Sequence, residues 1–143
     1  MINHIILLLC VAIVSIPLKG NQQDISYQRD GYLLNQIAEG GISDADVKRF
    51  LQLCLDIEKT INIEGSEYVS EVIDEVIISN TESFIREYGK LTKEEKKVID
   101  DYIVSMREDA DIPSIMSIVR KTKTLHFRSK NRILNSIKEL LLR

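Results

Sequence analysis

Apolar residues along this chain recur at intervals of three and four rather than two, which is the spacing of a helix face. Leu33, Leu34 and Ile37 mark a first short helix over residues 26–38, ended by Gly40 and Gly41. Val47, Phe50, Leu51, Cys54 and Ile61 form the stripe of a second. Ser43 stands before Asp44 and Asp46 there, an N-cap followed by acidic side chains that suit the positive end of the helix dipole. Glu64, Gly65 and Ser66 break the pattern, and Ser66 is placed to cap a third helix burying Val69, Val72, Ile73, Val76 and Ile77. That run is rich in β-branched residues and would also suit a strand, but Glu71, Asp74 and Glu75 follow the helical repeat better than an alternation.

Ser79, Asn80 and Thr81 interrupt again before a short helix carrying Phe84, Ile85 and Tyr88, with Gly89 suited to a left-handed terminating residue. The sharpest local signal is Leu91-Thr92-Lys93-Glu94-Glu95, in which Thr92 and Glu95 make a capping box and Leu91 staples back onto the first turn. The helix it opens has Val98, Ile99, Tyr102, Ile103 and Met106 on its apolar face and ends in the charged run 107–111. Pro113 fits the first turn of the next, which carries Ile115, Met116, Ile118 and Val119. A last amphipathic helix over about residues 125–142 buries Ile133, Ile137, Leu140 and Leu141. With six glycines, two prolines, no internal repeat and no linker, the expected architecture is all-α: a compact single-domain bundle of short amphipathic helices over residues 21–143.

Residues 1–20 read differently. An apolar run over residues 5–16 is followed by Pro17, Leu18, Lys19 and Gly20. An apolar core of about 7–15 residues fits a secretory signal peptide, whereas a spanning helix needs roughly 20. Secretion is therefore the expectation. An uncleaved anchor is the alternative, because Leu18 stands where a small residue is usual and the segment's start has only its α-amino charge. Loss of residues 1–20 would remove Cys10 and leave Cys54 as the sole thiol, either buried as a small hydrophobe or held in an intermolecular bond.

The net charge of −3 is unevenly spread: residues 21–112 hold 10 basic and 21 acidic side chains, residues 113–143 hold 8 basic ones and Glu139. Arg120, Lys121, Lys123, Arg128, Lys130 and Arg132 surround His126 and Phe127. Such an arm meets phosphates, anionic lipid headgroups or a ligand carboxylate, or it pairs within the chain with the acidic first part. Nucleic acid is not an expected partner of a secreted chain. Transient contact with an anionic membrane surface is.

Catalytic chemistry is hard to assemble from these residues. Without residues 1–20, His126 is the only imidazole, and one His with one distant Cys cannot make a zinc site. Neither Cys54 nor His126 is flanked by a nucleophile turn or an orienting third group. Pairs such as Asp100-Asp101 and Glu94-Glu95 are adjacent and diverge on a helix, and neither a glycine-rich phosphate loop nor a calcium loop occurs. The expectation is a protein that binds rather than catalyses, with no metal or cofactor.

Residues 81–139 resemble the nematode fatty-acid- and retinol-binding proteins. The family's Pro-Glu-Glu-Val type start, its aromatic, its Leu-Thr-x-Glu-Asp-Lys segment and the apolar residue beyond fall on Thr81-Glu82-Ser83-Phe84, Tyr88, Leu91-Thr92-Lys93-Glu94-Glu95-Lys96 and Ile99. Its Ala-Met-x-Ala-Leu-Lys segment falls on Ile115-Met116-Ser117-Ile118-Val119-Arg120, its next tyrosine on Phe127, and Ile133, Asn135, Ile137, Lys138 and Glu139 keep the register. The departures are Thr81 for the family's proline and isoleucines for its small alanines. The family also continues into further helices, whose share of a pocket wall residues 26–80 would have to supply.

The resemblance implies a secreted carrier that holds a fatty acid or a retinoid in an apolar interhelical pocket. Phe84, Tyr88, Tyr102, Ile103, Met106, Ile115, Met116, Val119 and Phe127 are the candidates for its lining, and Arg120, Lys121 and Lys123 for a ligand headgroup. The same residue types fill an ordinary core. The alternative is a secreted helical interaction module with a solid core and no small-molecule ligand.

Overall fold

The computed structural model describes residues 33, 35–37, 39 and 42–143. Residues 33 and 35–37 are helical, and six helices follow from residue 42 onward: α1 Asp44–Thr60, α2 Ile63–Ser79, α3 Thr81–Gly89, α4 Lys93–Val104, α5 Ile112–Lys121 and α6 Phe127–Leu140. No strand occurs among the described residues. The fold is an all-α, single-domain bundle. Helix α4 lies against α1, α2 and α6; α2 also meets α3 and α5, and α6 crosses α3 and α5. One continuous core runs from Leu33 and Ile37 through Phe50 and Cys54, Ile73 and Ile77, and Ile99 and Ile103 to Ile133 and Ile137. No helix among the described residues is long and apolar enough to cross a membrane. The expected signal segment lies outside the described residues, as does most of the helix expected over 26–38.

The caps show why the helices start where they do. Thr92 and Glu95 close the expected box, with Glu95 N–H donating to Thr92 Oγ1 at 3.2 Å and Thr92 N–H to Glu95 Oε2 at 2.9 Å. Ser43 and Asp46 form a second box at α1, and the Asp111 side chain caps α5 with Pro113 in its first turn. The β-branched run 69–78 is helical throughout, and Asn80 separates α2 from α3.

Several boundaries differ from the sequence pattern. Helix α2 is capped by Asn62, whose Oδ1 accepts Gly65 N–H at 3.0 Å, so Glu64, Gly65 and Ser66 belong to its first turn. A Cβ on Gly65 would stand 3.1 Å from Ile57, so the glycine admits α1 at this corner and does not break the chain. Ile61 is not on the buried stripe. It is 85% exposed and left-handed (φ 52°), the place where a helix stop usually has glycine, with Asn62 N–H reaching back to the Ile57 carbonyl.

Gly89 shows the reverse: it has no positive φ, and a Cβ there would sit 3.0 Å from Ser129 Oγ, so its smallness lets α6 approach α3. Met106 falls beyond the end of α4 yet remains buried. Helix α6 starts at Phe127, two residues later than the pattern suggests, and Leu141 is exposed beyond its end. Cys54 is buried, the first of its two alternatives, and burial pushes its thiol pKa well up.

Polar ties fasten the helices at specific points. Asp74, 2% exposed, accepts from Arg107 Nε at 2.9 Å and Nη2 at 2.8 Å, while Arg107 N–H bonds to the Ser70 carbonyl at 3.1 Å. Together these hold the α4–α5 connection onto α2. At the start of α1, Asp44 accepts from Ser83 Oγ, Asn80 Nδ2 and Arg86 Nη2, hydrogen bonds that keep its carboxyl below the ordinary range. Glu87, 8% exposed, accepts from Lys90 Nζ at 2.7 Å and Arg86 Nε at 3.4 Å. The Lys90 hydrogen bond is the chief cause of its lowered pKa, against the opposing effect of burial.

Two outcomes follow. Glycine relieves the steric cost of Ile61 in its left-handed conformation, so Ile61→Gly is expected to raise stability by about 1 kcal/mol in urea unfolding; a loss would mean that the exposed isoleucine packs against something. Glu87 stabilises the fold above its unfolded pKa near 4.5, and that contribution is lost as pH falls through its lower folded value. Glu87→Gln should therefore unfold at lower urea at neutral pH, with its difference from the wild type shrinking on acidification. A difference that stays constant with pH would place the acid sensitivity on other groups.

Candidate functional site

The apolar positions put forward for a pocket are mostly brought together. Phe84 and Tyr88 stack on α3 with ring centroids 6.4 Å apart and an interplanar angle of 17°. Both are wholly buried, as are Ile103, Ile115 and Val119, while Met106, Met116 and Tyr102 are 5–6% exposed. These eight belong to the one core cluster. Phe127 does not join them, being 63% exposed at the start of α6.

Two of the tyrosines carry polar ties out of the core. Tyr88 hydroxyl donates to Asp100 Oδ1 at 2.6 Å, and Asp100 Oδ2 accepts from Arg132 Nε at 2.8 Å and Nη2 at 2.7 Å, which joins α3, α4 and α6. Burial, followed by the carboxylate, pushes the Tyr88 phenol far up, and the ammonium of Lys96 lies 5.9 Å from its ring centre. Tyr102 hydroxyl and Ser66 Oγ are 3.2 Å apart.

Tyr102 and Met106 also form part of the floor of an open groove of about 600 Å³ between α1, α2 and α4. Its volume falls in the range of small-molecule sites. Its chemistry is otherwise, because Glu58, Glu67, Glu71, Asp101 and Glu108 line it with Arg107 as the cation among them. A rim of carboxylates raises the local concentration of cations and repels a ligand carboxylate. Among the described residues no cluster of three or more His, Cys, Asp or Glu is placed to hold a metal ion.

The surface opposite in charge is the corner between α5 and α6. Ile115, Met116 and Val119 bury the inner face of α5 and leave Arg120 and Lys121 exposed in its last turn, where cations suit the helix dipole. Thr122 Oγ1 donates to the Ile118 carbonyl at 2.8 Å as the helix stops. Lys130 reaches back from α6 and donates from Nζ to the carbonyls of Arg120 at 2.6 Å and Thr122 at 2.8 Å, so one ammonium satisfies two acceptors at the end of α5. His126 N–H bonds to Thr124 Oγ1 at 3.1 Å within the turn.

This braced turn presents Leu125, 91% exposed, and Phe127 among the exposed cations Arg120, Lys121, Lys123 and Arg128. None of those four makes an ion pair with a described residue. Arg132, further along the arm, is the one that finds a partner in the acidic part of the chain, at Asp100. The three headgroup candidates Arg120, Lys121 and Lys123 therefore come together, but at the surface corner.

Sequence reasoning did not single out Leu125 or the bracing role of Lys130. A signal for the exposed apolar residues was present. Counting back from Ile133 and Ile137 at 3.6 residues per turn, the apolar stripe falls on Ser129, Lys130 and His126 and leaves Phe127 about 100° from its middle. The lysine bridge depends on the turn geometry and has no local signature.

No protein-family model matches the chain, and neither do curated proteins or solved structures. The likeness of residues 81–139 to the nematode carriers rests on the positions quoted for it.

Because Lys130 closes the end of α5, Lys130→Met should cost about 1 kcal/mol and speed amide exchange at Thr122, whose N–H bonds to Ile118 and Val119 carbonyls. Unchanged exchange there would show that the turn holds without the bridge.

Proposed function

We propose that this chain is a secreted, non-enzymatic binding protein: a closely packed helical scaffold that engages its partner on its surface, at the α5–α6 corner. The observation that carries this reading is the placement of the apolar side chains. Phe84, Tyr88, Ile103, Ile115 and Val119 are spent on the common core, whereas Leu125 and Phe127 stand in solvent among unpaired cations. At these positions a ligand of fatty-acid size would have to displace packed side chains, at the cost that disrupting close packing carries. The apolar run over residues 5–16 supports a secretory route.

A second reading, an interhelical carrier of fatty acid or retinoid, is favoured by one observation. Eight of the nine positions named for its lining come together in one core. The two readings separate in a single titration of the purified chain with an environment-sensitive fluorescent fatty acid, followed by oleate and retinol. The surface-binding reading expects no saturable, displaceable signal at concentrations up to tens of micromolar. Saturable binding at about micromolar or below, reversed by oleate or retinol, would replace it with the carrier.

A further inference from the structure

We propose that the α5–α6 corner is a docking surface for an anionic lipid bilayer, with Leu125 and Phe127 entering the boundary between headgroups and acyl chains while Arg120, Lys121, Lys123 and Arg128 meet lipid phosphates. The inference rests on the surface-binding reading and names its partner.

Three observations select this occupant. The first is the charge. Residues 113–138 contain no acidic side chain, and the four exposed cations around the turn are not neutralised by any described residue. The second is the contrast with the rest of the molecule. A chain of net charge −3 whose groove between α1, α2 and α4 is lined with carboxylates is repelled by an anionic surface when that groove faces it, so attraction favours landing on this corner. The third is the apolar pair. Leu125, at 91%, is the most exposed large hydrophobic side chain among the described residues, Phe127 is 63% exposed, and both lie inside the cationic patch. A free phosphate or an acidic polypeptide would use the cations and leave a 91% exposed leucine without a role. A bilayer uses both, apolar side chains below the headgroups and cations level with them.

The turn is also ready for the task. Lys130 already binds the carbonyls of Arg120 and Thr122, so the segment that carries Leu125 is held in place before any partner arrives. Little ordering is then left to oppose binding.

The test is sedimentation of the full chain with vesicles of phosphatidylcholine alone, or containing about a third phosphatidylserine, at low and high salt. Every variant shares residues 1–20, so differences between variants report on the corner. Phosphatidylserine is expected to strengthen binding beyond whatever residues 1–20 give on both vesicles, and salt to reverse that gain as it screens the cations. Leu125→Ser with Phe127→Ser should weaken binding about tenfold. Lys121→Glu with Lys123→Glu should remove the preference for the anionic lipid.

The chain has no tryptophan, so Phe127→Trp supplies a single fluorophore whose emission should shift to the blue on anionic vesicles and not on neutral ones. Equal binding to both vesicles, indifference to the Leu125 and Phe127 substitutions, or binding to polyglutamate but not to vesicles would each overturn the proposal. If vesicles fail while the fatty-acid titration is also empty, the lipid partner is wrong and surface binding stands. Oleate-reversible uptake of the fluorescent fatty acid would sink the underlying reading, whatever the vesicles show.

Discussion

Helices of nine to seventeen residues are marginal in water on their own, so each helix of this bundle depends on neighbours to cover its apolar stripe. Those coverings converge on α4. It buries Ile99 and Ile103 against α1, α2 and α6, and its outer edge carries Asp100, which receives both the Tyr88 hydroxyl and the Arg132 guanidinium. One carboxylate thereby sets the rotation of three helices relative to one another. The apolar stripes by themselves would tolerate some sliding.

Where sequence and structure agree, the information is local. The capping box at Thr92 and Glu95 involves four consecutive residues, and the stripes of α1, α2 and α4 are repeated several times over. Where they part, the deciding contact lies in another helix. Gly65 looks like a breaker until Ile57 is seen against it, and Gly89 looks like a left-handed stop until Ser129 is. The core positions were legible from periodicity. The surface corner was legible only in part, because charge asymmetry announced the arm while the exposure of Leu125 follows from where Lys130 pins the preceding turn.

Many of the charges in the acidic part of the chain are used in ion pairs between or within helices, while four cations of the C-terminal arm are not. Acidic side chains tie α1 to α3 at Asp44 and α2 to the α4–α5 connection at Asp74, so much of the negative charge near the interior is engaged in holding the fold. Arg120, Lys121, Lys123 and Arg128 are not engaged in that way by any described residue. The ion pairs that tie helices together and the four unpaired cations thus lie at different residues, and substitutions at the latter need not disturb the fold.

The burial of Cys54 gives the bundle an internal clock. A thiol at 0% exposure and far from ionising does not meet an alkylating reagent until α1 leaves the core. The rate at which it is modified therefore counts openings of the central packing. Cys54 is free rather than disulfide-bonded, so the packing around it is held by contacts that do not require oxidising surroundings.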